Sequence, residues 1–201
     1  PDIFVAGMAT TLHVGDLEAI LTDEVGPWSL LGGLGIRYAH LRQSYSVLRT
    51  NAGGTLGGIT ISEDQETSLA RHNFDGLGPT ISAQFNRRIG NTGLGIYGMG
   101  RGSMLIGQHR LNVQTNRRLR ADFFGGIVDS SIIDSNNGST NDVLQIGELE
   151  IGAEYVRSLG RCQVLLRAGF QCQTWFNAGT AISSNGDLDF YGGSFLLGLM
   201  Y

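Results

Sequence analysis

The chain has 201 residues, a net charge of −4 and a hydrophobic share of 41%, which suits one domain and excludes a disordered polyelectrolyte. Charged residues make up only 16% and glycines number 31, against about 25% and about 7% in ordinary soluble domains, a pairing that argues against a helical core. No uncharged apolar run reaches the roughly 18 residues of a transmembrane helix, and the acidic balance leaves no nucleic-acid footprint.

Residues Pro1–Thr10 lack a basic stretch followed by an apolar core and a cleavage site, so no signal peptide is read there. The interior-sounding start, PDIFVAGMATTLHVGDLEAI, favours a fragment that has lost an N-terminal segment. Beyond it, alternation with period two recurs in segments of roughly ten residues between turn clusters, and such segments read as strands. In Leu12–Asp23, Leu17, Ala19 and Leu21 oppose Asp16 and Glu18. From Trp28, the residues Leu30, Leu34, Ile36 and Tyr38 share a face, with Arg37 on the other. Past Tyr38 the parity slips to Leu41, Gln43, Tyr45 and Val47, and a bulge near Ala39–His40 is expected. Asn51–Gly58 reads as a loop and Ile59–Asn73 as a strand. Leu77, Pro79, Ile81, Ala83 and Phe85 then alternate with Gly78, Thr80, Ser82, Gln84 and Asn86 up to the turn IGNTG.

Gly93–Gln108 continues the series, with Leu94, Ile96, Met104 and Ile106 opposite Tyr97, Met99, Arg101, Ser103 and Leu105. Its GLGIYGMG spacing stays in strand phase and opens no helix, which rejects dinucleotide binding. His109–Asn116 either extends that strand or begins a loop, and Arg117–Asn141 reads as a long polar loop. In Asp142–Ser158, Leu149, Ile151, Ala153 and Tyr155 oppose Glu148, Glu150 and Glu154. In Arg161–Phe176, Val164, Leu166, Ala168 and Phe170 oppose Gln163, Arg167, Gln171 and Gln173. After a polar segment at Ala181–Asp187, the strand Asp187–Tyr201 carries Tyr191, Phe195, Leu197, Leu199 and Tyr201 on one face, and an apolar face that runs to the last residue suits a paired closing strand.

Charges thus segregate from an apolar face, and short connections (Gly90–Thr92, Leu159–Arg161) alternate with long ones. The pattern predicts an all-β, antiparallel transmembrane barrel of the outer-membrane kind, one domain over 1–201, with about eight strands visible and the C-terminal part of a larger barrel as the expected whole. Trp28, Tyr45, Trp175 and Tyr201 near strand ends are candidates for interfacial aromatics. The lumen candidates are Asp16, Glu18, Arg37, Arg101, Glu148, Glu150, Glu154 and Arg167. In a narrow barrel they pair and fill the interior; in a wider one they line water, where the carboxylate excess implies mild cation preference.

Cys162 and Cys172 lie ten positions apart on one predicted strand, about 33 Å, too far for a disulfide, and no metal spacing is present. The histidines, His13, His40, His72 and His109, read as scattered rim residues. A membrane-embedded hydrolase using His72 or His109 near Ser103 is the weakest reading, since no nucleophile motif is found. No cofactor, catalytic residue or nucleic-acid partner is expected. The arginines at 117, 118 and 120 offer a loop contact to lipopolysaccharide.

The phrases WSLLGGLGIRYAHLRQSY, FDGLGPTISAQFNRRIGNTGLGIYGMGRGSMLIG and ELEIGAEYVRSLGRCQVLLRAGFQCQTWF resemble the Legionella-type pore-forming major outer-membrane protein family, from about Leu12 to Tyr201. The resemblance implies an integral outer-membrane barrel of a Gram-negative envelope, porin-like passage of small solutes or ions, no cofactor, an upstream signal peptide and a longer chain. The first functional expectation is therefore a passive pore. The alternative is a closed structural or adhesive barrel that presents its loops.

Overall fold

A computed structural model describes residues 3–56, 59–123, 126–179 and 186–200, and among these every regular element is a strand. They are β1 (Ile3–Val25), β2 (Trp28–Ala52), β3 (Thr55–Leu56), β4 (Ile59–Arg88), β5 (Leu94–Phe123), β6 (Gly126–Leu159), β7 (Cys162–Phe176) and β8 (Leu188–Met200). All pairings are antiparallel, in the order β1-β2-β4-β5-β6-β7-β8, with the two-residue β3 on the side of β4. Seven long strands therefore form one meander. Because consecutive strands reverse, β1 and β8 run in the same direction, and among the described residues they are not paired with each other.

Turn chemistry sets the register. Val25 pairs with Trp28 across Gly26–Pro27, and Leu159 pairs with Cys162 across Gly160–Arg161. Gly26 (φ 61°) and Gly160 (φ 66°) supply the left-handed first position that a two-residue hairpin of this type requires. The three short turns among the described residues, at Gly26–Pro27, Ile89–Gly93 and Gly160–Arg161, lie at one end of the sheet. Short turns mark the periplasmic end of an outer-membrane barrel, so the long extensions of β2, β4, β5 and β6 point outward from the cell.

The expected bulge at Ala39–His40 is absent: β2 keeps unbroken register with β1 and β4 from Trp28 to Thr50. A register shift falls instead in the β4–β5 ladder, between Ile61 and Glu63. The parity change has a different cause. Gly15, Tyr38, Leu77, Ile106 and Val143 are paired neighbours forming one outward row across five strands. The next outward row, His13, His40, Asp75, Gln108 and Asn141, is polar throughout. Below that boundary the outer face is predominantly apolar and exposed, with Leu34 at 66%, Ile81 at 63% and Phe195 at 86%, in keeping with a lipid-facing surface, while Gln145 and the Thr174–Asp189 pair are polar exceptions. Above it the strands have left the membrane, and the apolar residues of β2 turn up on the inner face. From Trp28 to Tyr38 (28 through 38, 11 residues) β2 has the length a tilted strand needs to cross the hydrocarbon core, about 9–11 residues.

Other expectations also change. Ile59–Asn73 and Leu77–Asn86 are one strand, β4, and β1 begins well before Leu12. The polar stretch Arg117–Asn141 is no loop; it forms the outer part of the β5–β6 hairpin, paired from Gln108–Asn141 to Phe123–Gly126. Its β6 half, rich in Ser, Asn and Asp, shows no period-two apolar face because both faces meet water. Asn51–Gly58 is mainly strand end plus β3, residues 57–58 and 180–185 lie outside the description, and so does Tyr201. Tyr45 faces inward, and Trp175 is wholly buried inside the sheet rather than at an interface. Trp28 does sit at the periplasmic rim, edge-on to Phe85 with the Arg87 guanidinium 5.0 Å from its ring. Cys162 and Cys172 are both free.

Small inner residues let the sheet curl. A Cβ at Gly78 would overlap the Met104 carbonyl oxygen, and one at Gly35 would overlap that of Leu17. Side chains from β1 and β2 consequently reach those of β5 and β6 across the interior.

Candidate functional site

The interior is layered. Lowest, Glu154 on β6 pairs with Arg167 on β7 at 3.0 Å, and Arg167 lies 5.0 Å above the Tyr97 ring. The Tyr97 and Ser194 hydroxyls both donate to Glu150 Oε1, at 2.7 and 2.6 Å.

Next comes a belt of charge. Arg37 donates from Nε and Nη2 to the two Asp16 oxygens (2.6 and 2.9 Å), and from Nη1 and Nη2 to the two Glu148 oxygens (2.6 and 3.3 Å). Arg101 reaches Glu18 at 3.0 Å, Glu148 at 3.2 Å and Asp16 at 3.4 Å. Ser82 and Gln173 donate to Glu18 and Glu148. Arg37 is 1% exposed and Glu148 4%, so this is an ion-paired cross-link from β2 to β6 inside the barrel rather than a solvated surface contact. At such burial each charge is tolerated only because its partners satisfy it.

All eight lumen residues of the sequence reading lie on the inner face, in these two layers. Three of the pairs are direct cross-strand neighbours: Asp16 with Arg37, Arg101 with Glu148, and Glu154 with Arg167. The uncharged partners Tyr97, Ser82, Gln173 and Ser194 share this inner face and were not among the lumen candidates. Gln173 stands opposite Glu148 in register, a signal that alternation alone does not carry.

Immediately above the belt is an apolar plug. Ala39 and Leu41 of β2, Phe74 of β4, Leu105 of β5, Leu144 and Ile146 of β6, Trp175 of β7 and Ala178 are all buried together, with Leu12, Leu188 and Phe190 against them. Side chains from β1 to β8 thus meet in one core despite the open pairing at the edges. The sequence signal was the run Ala39–Leu41, misread as a bulge.

Above the plug, beyond the membrane, His72 and His109 are neighbours. The two rings share a hydrogen bond of 2.7 Å between Nε2 and Nδ1, and Gln43 Oε1 is 3.3 Å from His72 Nδ1. They are a packed inner pair, not scattered rim residues, with Phe74 edge-on to His109. Burial, and secondarily His109, pushes the His72 pKa down to about 4; burial also lowers that of His109, against an opposing pull from Asp142. Ser103, the other residue of the hydrolase reading, donates to Thr80 Oγ1 at 2.9 Å. Further out, Arg117 holds the Asp64 carboxyl below its usual range through a bidentate pair, and Arg118 does the same to Asp129. Among the described residues no group of three or more His, Cys, Asp or Glu could hold a metal ion.

A β-sheet with a lipid-facing belt outside and layered charge inside is the context in which the family comparison falls. Residues 33–193 match the family described as "Legionella pneumophila major outer membrane protein precursor". The chain belongs to that family. It is an integral outer-membrane protein, as the apolar outer face demands. No curated protein matches it. Of solved structures, Neisserial surface protein A is 12% identical, with 86% of this chain and 94% of that chain covered at a TM-score of 0.28. The copper transporter OprC is 8% identical, covering 98% and 43% at a TM-score of 0.25.

Proposed function

We propose that the protein is a narrow, internally closed outer-membrane barrel whose role is to hold long β-hairpins at the cell surface. The observation that carries this reading is the plug. Directly above an ion-paired belt, Leu41, Phe74, Leu105 and Trp175 are 0% exposed, and a barrel of about eight strands has an interior just wide enough for side chains to fill. Belt and plug in series leave a hydrated ion neither a wet path nor a free charge to follow. The β5–β6 hairpin meanwhile runs 16 residues past the boundary row (108 through 123 on β5), exposed on both faces over most of β6's share. A catalytic role is not part of this reading.

The second reading, a porin-like pore for small solutes or ions, is favoured by the mixed charge of the belt and by the edges of β1 and β8, unpaired among the described residues, where further strands would widen the lumen. Planar-bilayer recording on the full chain separates the two. The closed reading expects no steady channels from the native protein, and their appearance in a Phe74→Ser, Leu105→Ser variant. Ohmic openings from the native protein would overturn it in favour of the pore.

A further inference from the structure

The outer face just above the membrane boundary carries an arginine cluster that the interior does not use. Arg42 on β2 and Arg110 on β5 both pair with Asn73 of β4, so the two lie on one outward row with Asn73 between them. Arg71 stands two positions further along β4 on the same face, opposite Ser44 and Asn112. Strand spacing puts the Cα atoms of Arg42 and Arg110 about 10 Å apart and each about 8 Å from that of Arg71. All three are exposed, and among the described residues none has a carboxylate partner. The Arg110 guanidinium is held against Gln108, its neighbour on the same face, whose Oε1 accepts from Nε and Nη2 at 2.9 and 2.8 Å.

This pattern contrasts with the arginines further out, where Arg117 and Arg118 face Asp64 and Asp129. In the cluster's own neighbourhood the outward carboxylate, Asp75, is taken by His40 at 2.6 Å, with the Tyr38 hydroxyl 3.4 Å away. The triangle is therefore an uncompensated positive patch, beginning two outward rows above the apolar edge at Tyr38, Leu77 and Ile106. That is headgroup depth on the outer leaflet. Guanidinium forks match phosphate oxygens two at a time, and acyl chains of the same lipid would lie along the exposed apolar strip of Leu34, Ile36, Leu77, Ile81 and Ile106 directly below.

We infer that Arg42, Arg71 and Arg110 bind the phosphate groups of an outer-leaflet glycolipid, a lipid A-type phosphorylated disaccharide whose chains lie on the strip beneath. The assignment rests on the outer-membrane placement and on the outward direction of the long hairpins, and is independent of whether the lumen conducts. It relocates the expected lipopolysaccharide contact from the region of 117–120 to the barrel wall.

The test titrates the full chain, in zwitterionic detergent with EDTA, with bisphosphorylated lipid A, with dephosphorylated lipid A of the same acylation, and with inorganic phosphate, following occupancy by native mass spectrometry. Bisphosphorylated lipid A is expected to bind, and Arg42→Gln/Arg71→Gln/Arg110→Gln to weaken it about a hundredfold, down to the level of the dephosphorylated lipid. Arg87→Gln at the periplasmic rim leaves binding unchanged. Heat-modifiable mobility on gels verifies folding; were the triple variant unfolded, the comparison of the two lipids on the native protein still decides. Equal affinity for both lipids, or a folded triple variant that binds like the native chain, overturns the proposal. So does inorganic phosphate binding as tightly as the lipid, which would assign the cluster to the free anion.

Discussion

Removing Arg37 is the sharpest test of the belt. Its guanidinium makes four hydrogen bonds to Asp16 and Glu148, and with Arg101 it faces the carboxylates of Asp16, Glu18 and Glu148. Without it one cation is left among three carboxylates, one of them, Glu148, almost fully buried. Breaking a buried pair in this way costs about 3–5 kcal/mol, chiefly because the remaining charge is stranded. Arg37→Met is therefore expected to lose that much, and Arg37→Lys about 1–2 kcal/mol, since the charge survives while the fork that serves two carboxylates at once does not. Arg37→Met combined with Glu148→Met should be less damaging than the sum of the two singles, with a coupling energy of about 2–3 kcal/mol. Reversible urea unfolding of the protein in lipid vesicles measures this, with fluorescence of Trp175 in the plug just above the belt as the probe. An Arg37→Met variant within about 1 kcal/mol of the native protein, together with an additive cycle, would refute the view that the belt cross-links β2 to β6.

Three further outcomes follow from other layers. Ile81→Arg, midway down the lipid-facing stretch of β4, should cost about 2–4 kcal/mol, whereas Leu69→Arg, on the same face beyond the boundary row, should cost under about 1 kcal/mol; equal penalties in vesicle unfolding would misplace the boundary. His72 stays neutral in the folded barrel down to a pKa of about 4, while the unfolded chain takes up its proton near 6.5. Stability should then fall as pH drops from about 6.5 to 4, by a total of about 3 kcal/mol, and level off below that. His72→Gln should remove most of that slope, and an unchanged pH profile in this variant would dissociate the effect from the histidine pair. Gly78→Ala forces a methyl group into the Met104 carbonyl and should cost about 1–3 kcal/mol; a neutral result in the same assay would show that β4 and β5 can separate there without loss.

Much of this was legible in the residues. Period-two alternation assigned the outer and inner faces of the membrane-spanning stretches, and it put Asp16, Arg37, Arg101 and Glu148 on the side away from lipid, because a charge on the lipid side is too costly to keep. Gly160 and the glycines of the IGNTG run announced tight turns through the positive-φ backbone that glycine adopts easily. Direct cross-strand pairs such as Glu154 with Arg167 needed nothing beyond register, which those turns set.

Alternation is blind, however, to where the membrane ends and to what meets across a lumen. The switch at Ala39–Leu41 looked like a bulge, because a strand emerging from lipid exchanges its faces' polarity without changing its geometry. The Ser, Asn and Asp residues of 126–142 looked like a loop because a hairpin wetted on both sides has no apolar face to show. Arg37 meets Glu148 from 111 residues away, and Phe74 and Trp175 join one core, only because the sheet curls. The sequence by itself determined an outer-membrane barrel and the two faces of its membrane-spanning stretches; the curvature of the sheet, a property of all its strands together, decided that its interior is cross-linked and plugged.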